Sequence, residues 1–85
     1  MEWDDLIGRL RAVLLDVEPQ LLPTEVQMIW ELVDVGEPAV AFEMLCTQLY
    51  EHDAGVNSDV VKRLADLGEA MNLRPRQWEI LRVAD

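Results

Sequence analysis

The sequence predicts an all-α fold, a small bundle of four to five short helices formed by residues 1–85 as one domain. Apolar residues recur every three or four positions along most of the chain, which is the period of an amphipathic helix. No segment alternates apolar and polar residues over a sustained stretch, as a half-buried strand would. The 85 residues are 51% hydrophobic, which suffices for the modest core of so short a chain.

The first helix is predicted over residues 2–17. Its apolar side chains form one stripe at helical spacing: Trp3, Leu6, Ile7, Leu10, Val13, Leu14 and Val17. Outside this stripe, Asp5 and Arg9 are four residues apart and pair along the helix surface. Pro19 and Pro23 bracket the connector that follows, because proline is unsuited to a helix interior.

The second helix is predicted from Thr24, as its N-cap, to about Val35. Gln27 would complete a capping box with Thr24, and Gly36 provides a C-terminal stop. The helix is apolar nearly all round, which predicts a central position in the core. Its thin polar stripe consists of Gln27, Glu31 and Asp34.

The third helix begins at Pro38, since proline is favoured at the first helical position, and runs to about Glu51. Its predicted buried residues are Ala41, Phe42, Leu45 and Leu49. Only the turn at Gly36-Glu37 separates it from the second helix. So short a connection favours antiparallel neighbours.

The fourth helix is capped by Asn57 or Ser58 and ends at Asn72. Its predicted core stripe is Val60, Leu64, Leu67 and Met71. Arg74-Pro75 opens a short last helix that carries Trp78 and Leu81. We expect all three tryptophans to lie in the core: Trp3, Trp30 and Trp78.

The formal net charge of -10 is concentrated in the middle of the chain. Residues 12–61 contain ten acidic residues and no lysine or arginine, whereas the two ends together are neutral. Such a field repels nucleic acid and anionic membranes and attracts basic surfaces. We therefore expect a basic protein partner, no direct nucleic acid and no membrane.

The acidic edges of the second and third helices predict a partner-binding patch. If the helices are antiparallel, these edges merge on one side of the molecule, with Tyr50 as a possible aromatic anchor. Aromatic residues set among charges are typical of protein–protein hot spots. The predicted binding residues are Glu31, Asp34, Glu37, Glu43, Tyr50, Glu51 and Asp53.

The sequence carries no catalytic set, metal motif or cofactor fingerprint. His52 is the only histidine, and Cys46 is predicted to be a buried, inert thiol, so a Cys46/His52 dyad is disfavoured. Ser58 is the only serine, but Asn57-Ser58-Asp59 lacks the Asp-Ser-Leu motif of an acyl carrier protein. We expect a non-enzyme without cofactors. The single cysteine and the lack of a signal-peptide pattern favour the cytoplasm.

Residues 36–46 read GEPAVAFEMLC and are followed by Leu49-Tyr50-Glu51. This stretch resembles the middle of the MafI-like immunity proteins of bacterial polymorphic-toxin and contact-dependent inhibition systems. The helix upstream and the stretch from Asn57 to LRPRQW at residues 73–78 are also similar, so the resemblance covers residues 24–80. The chain is also similar to the colicin-nuclease immunity proteins in size, acidity and helical content. Those proteins carry a paired-tyrosine motif, whereas this chain has only Tyr50.

The resemblance implies a cytoplasmic protein that binds the C-terminal domain of a cognate toxin, often a nuclease, and blocks it. Either a ribonuclease or a deoxyribonuclease fits, as does binding at the active site or beside it, and no oligomeric state is favoured. The alternative is a non-enzymatic adaptor or anti-activator that masks a basic protein surface. A neighbouring toxin gene or transcription-factor gene distinguishes the two.

Overall fold

The computed structural model describes residues 1–85 and confirms the all-α fold. Its helices are α1 (Trp3–Val17), α2 (Pro23–Asp34), α3 (Pro38–Glu51), α4 (Ser58–Ala70) and α5 (Arg76–Glu79). A 3₁₀ turn at Glu18–Gln20 follows α1. No helix combines the length and the apolar character that crossing a membrane requires.

The four long helices form two antiparallel pairs. The turn between α2 and α3 closes one end of their hairpin, and His52 Nε2 lies 2.8 Å from Glu25 Oε1 at the other. In the second pair, Arg63 of α4 reaches Asp16 near the end of α1. α5 packs across α3 and α4. The predicted antiparallel arrangement of the second and third helices is thus present.

The core is one cluster of 20 buried residues, and α1 and α3 contribute five residues each. Phe42, Leu45 and Leu49 of α3 are fully buried, because α3 packs against α1, α2 and α5. The prediction that the second helix is central was wrong. Only Ile29 and Val33 of α2 are buried, because that helix packs mainly against α1 and α3 and leaves its outer side in solvent.

The three tryptophans lie in three different environments. Trp78 is buried at 4% exposure, and its ring meets Phe42 edge-on, with centroids 6.0 Å apart and planes at 79°. Trp30 is half-buried and donates its indole N–H to Glu18 Oε1 at 2.6 Å. The core prediction was wrong for Trp3, which is 55% exposed because it begins α1, where no other helix covers it.

Three helices end with a residue in the left-handed conformation: Gly36, Asp53 and Asn72 have φ of 81°, 48° and 58°. After α2, the Gly36 N–H donates to Val33 O and the Glu37 N–H donates to Leu32 O, which is the Schellman pattern. The same bonding recurs after α3 and α4. Gly36 and Asn72 therefore end their helices as predicted.

The predicted cap of the fourth helix is confirmed, whereas that of the second is wrong. Asn57 Oδ1 accepts the Val60 N–H at 2.8 Å and caps α4. At α2 the N-cap is Leu22 and the first helical residue is Pro23, because proline already has helical φ and needs no donor there. The Glu25 carboxylate accepts the Leu22 N–H at 2.9 Å, where a capping box led by Thr24 was expected.

The last residues of the chain lie along the loop between α3 and α4. The Val56 N–H donates to Arg82 O at 3.0 Å, and the Ala84 N–H donates to Val56 O at 2.8 Å. Asp85 Oδ1 accepts both the N–H and the hydroxyl of Ser58. The C-terminal segment thus fixes the start of α4.

Glu25 makes the stability of the hairpin depend on pH. The Leu22 N–H, and then His52, lower the pKa of Glu25 below its ordinary value of 4.5. The stabilisation is therefore present above that ordinary value and is lost as pH falls through the lowered folded-state pKa. Glu25→Gln should have a lower Tm than the parent chain at pH 7, and the difference should vanish as pH falls below 4.5.

Thermal unfolding followed by circular dichroism from pH 7 downward measures this effect. Glu31→Gln is the matched control, because it removes a carboxylate from the same helix that accepts no backbone hydrogen bond. A Tm difference for Glu25→Gln that stays constant with pH would contradict the assignment.

Candidate partner-binding surface

All seven residues predicted to bind a partner are exposed, and they lie on or beside the α2–α3 hairpin. α2 carries Glu31 and Asp34, the turn carries Glu37, and α3 carries Glu43, Tyr50 and Glu51. Asp53 follows α3 in its left-handed turn. Their exposure makes all seven residues accessible to a partner, but they do not all share one environment.

Two of the seven are neutralised by arginines that come from the ends of the chain. Arg11 of α1 places Nη2 3.0 Å from Asp34 Oδ1. Arg82 places Nε 3.2 Å from Asp53 Oδ1 and also donates to the Asp53 carbonyl oxygen at 2.8 Å. The stretch that contains no lysine or arginine in the sequence is therefore partly neutralised in the fold by arginines from outside it. The expected single-signed patch is interrupted at these two positions.

Glu43 and Tyr50 lie on the flank of α3 that faces α5. Glu43 shares a depression with Arg74, which precedes α5. Tyr50, 54% exposed, lines a neighbouring cleft with Arg74 and Arg76. α2 packs along another part of α3, so these two residues are not brought together with Glu31.

Glu31, Glu37 and Glu51 remain, and none of them forms an ion pair. Glu31 accepts only a hydrogen bond from Gln27, at 3.3 Å. With no guanidinium or ammonium to compensate them, these three carboxylates are free to attract cationic groups of another protein.

Apolar residues are also exposed on this hairpin, and sequence reasoning missed the two of them that lie on α2 and at its C-cap. Met28, Val35 and Val40 are 52%, 72% and 45% exposed. Met28 and Val35 line one shallow depression of α2 together with Glu31. We call these six residues the hairpin face: Met28, Glu31, Val35, Glu37, Val40 and Glu51.

A signal for this exposure was present in the sequence. The second and third helices are both strongly apolar, and a domain of 85 residues buries too little of its surface to cover every apolar side chain of both. The helix left at the edge must expose apolar side chains, which gives the hairpin face the mixed character of a protein interface.

Cys46 and His52, the two residues considered for catalysis, lie in different surroundings and do not contact each other. Cys46 is buried, and burial raises the pKa of its thiol to about 12. His52 lies at the open end of the hairpin in contact with Glu25. No three His, Cys, Asp or Glu side chains are grouped to hold a metal ion.

Comparison of the chain with protein-family models, curated proteins and solved structures returned no match. The resemblance to MafI-like immunity proteins therefore stays a prediction from the sequence.

Proposed function

We propose that this protein is an immunity protein that binds and neutralises a bacterial toxin domain through the hairpin face. The observation that carries the proposal is that one hairpin exposes Met28, Val35 and Val40 together with three carboxylates that form no ion pair. Protein interfaces combine an apolar centre with a polar rim.

The charge of the molecule indicates the chemistry of the partner. The chain has a net charge of -10, while part of its acidity is neutralised internally by Arg11, Arg63 and Arg82. A nuclease domain displays a basic surface for phosphates, and an acidic protein competes for that surface or docks beside it. Complementary charge also speeds association, which suits the capture of an incoming toxin in the cytoplasm.

Charge reversal on the hairpin face tests the proposal. Glu31→Lys with Glu51→Lys should slow association with the C-terminal domain of a toxin encoded next to this gene by at least about tenfold at low salt. Both side chains are exposed and form no ion pair, so folding should be unaffected. Stopped-flow binding at two salt concentrations measures the rate, and survival of cells that co-express the toxin domain measures protection.

Glu2→Lys with Glu69→Lys is the matched control. It makes the same change in net charge at exposed, unpaired positions outside the hairpin. The control should bind faster than the hairpin variant. Equal rates for the two would remove the hairpin face from the interface, and killing by the toxin despite well-expressed parent protein would refute the immunity function. Binding to the product of a neighbouring transcription-factor gene, with no effect on a toxin, would favour the adaptor instead.

A further inference from the structure

A second surface lies away from the hairpin face, in the cleft between α3 and α5. The cleft has a volume of about 240 Å³. α3 contributes its floor and one wall, and the chain around α5 contributes the other wall. Its lining residues are Cys46, Thr47, Tyr50, Arg74, Arg76, Gln77 and Ile80.

The cleft contains the two arginines of the protein that have no ion-pair partner. The other four arginines all contact carboxylates: Arg9, Arg11, Arg63 and Arg82. Arg74 and Arg76 remain unpaired although the chain has 17 acidic residues. Glu43 lies in the adjoining depression with Arg74 without forming an ion pair. The wall of the cleft is thus a local positive centre on an acidic protein.

The same cleft contains a buried acceptor that has no donor. Gln77 Oε1 is shielded from solvent and accepts no hydrogen bond. Buried polar atoms are usually paired, and leaving one unpaired costs stability. Gln77 lies between the two depressions that flank Arg74. The side-chain amide of Gln77 is therefore placed to report on any ligand that fills the cleft.

The remaining side of the cleft is apolar. Tyr50 is 54% exposed and Ile80 is 37% exposed, and both line the cleft. The ring and the aliphatic side chain offer a contact surface for an apolar group next to the two guanidinium groups.

We propose that the α3–α5 cleft binds an acidic peptide segment of a protein partner. Arginine presents paired N–H donors that match a carboxylate, so Arg74 and Arg76 bind an aspartate or glutamate side chain. A neighbouring apolar side chain of the segment packs on Tyr50 and Ile80. The inference goes beyond the proposed function, because the hairpin face has no part in it.

Two physical points favour a peptide over a free anion. Inorganic phosphate would satisfy the guanidinium groups but would leave Tyr50 and Ile80 uncovered. The net charge of -10 repels any anion at long range, yet exposed charges beyond about 8 Å are largely screened at physiological salt. A ligand that adds apolar contact to the charged hydrogen bonds therefore gains most from this cleft.

Nuclear magnetic resonance titration of the full chain at physiological salt tests the inference. The probe is acetyl-Leu-Asp-Asp-Leu-amide, with acetyl-Leu-Asn-Asn-Leu-amide as the uncharged match and inorganic phosphate as the free anion. We expect the acidic probe to shift the side-chain signals of Arg74, Arg76 and Gln77. Arg76→Gln should weaken binding about tenfold, as loss of a charged hydrogen bond would.

Lys62→Gln is the control, because it removes an exposed cation of α4 that has no ion-pair partner and should leave binding unchanged. Equal weakening by Lys62→Gln would show that the effect comes from net charge alone and would overturn the site.

The absence of shifts up to about 10 mM acidic probe, or equal binding of the uncharged probe, would also overturn the site. Phosphate binding as tight as the acidic probe would overturn the assignment to a peptide. The hairpin variant Glu31→Lys with Glu51→Lys should bind the probe normally, which separates this test from that of the proposed function.

Discussion

Trp78→Ala is expected to lower the free energy of unfolding by about 3–5 kcal/mol, as truncation of a buried tryptophan commonly does. Trp78 is 4% exposed and packs edge-on against Phe42. It is also the only buried residue of α5, so its loss releases that helix from α3 and α4. Small domains are stable by only about 5–15 kcal/mol. The variant should therefore be partly unfolded at moderate temperature.

Urea unfolding followed by circular dichroism measures this loss. Trp3→Ala is the matched control, because it removes the same side chain from a site that is 55% exposed. The control should change the free energy of unfolding by no more than about 0.5 kcal/mol. Similar costs for both variants would show that Trp78 is not the residue that holds α5 in place.

Gly68→Ala should destabilise the protein by up to about 2 kcal/mol, which is the cost of about 1–3 kcal/mol for overpacking a core less about 1 kcal/mol for the better helix propensity of alanine. Gly68 lies inside α4, and a Cβ at this position would overlap the ring of Trp78, 2.6 Å from Cη2. The indole is held by Phe42 and cannot move aside without opening the core. The clash with the indole therefore outweighs the gain in helix propensity.

Gly8→Ala is the control with the opposite expected sign. Gly8 is exposed within α1, and a Cβ there meets no atom within 4 Å. The substitution should therefore stabilise the chain by about 0.5–1 kcal/mol through helix propensity alone. In a Trp78→Ala background, Gly68→Ala should lose its penalty, because the ring that it meets is gone. A penalty that persists there would place the clash elsewhere.

Local features of the fold were predictable, because their causes lie within a few residues. Gly36 and Asn72 end helices through their own backbone conformation, and Asn57 caps α4 through a bond to a residue three positions on. Thr24 was misassigned because Pro23 and Glu25 offered a competing start of equal quality. The sequence pattern alone does not decide between a start capped by Thr24 and a start at Pro23.

Features that depend on distant parts of the chain were not predictable. The periodicity of α2 indicated its apolar character, but its position at the edge depends on how many helices pack against α3. The pairs Arg11–Asp34 and Arg82–Asp53 join residues 23 and 29 positions apart. The surface acids could therefore be identified in the sequence, whereas the arginines that neutralise two of them required the fold.

The burial of Cys46 beneath the α3–α5 cleft determines how the chain responds to oxidants and electrophiles. Such reagents attack the thiolate, and with a pKa of about 12 only about one sulfur in 100,000 is ionised at neutral pH. Covalent modification should therefore be slow in the folded chain and faster in any molecule in which α5 has separated from α3. The rate at which Cys46 is modified therefore reports how often α5 separates from α3.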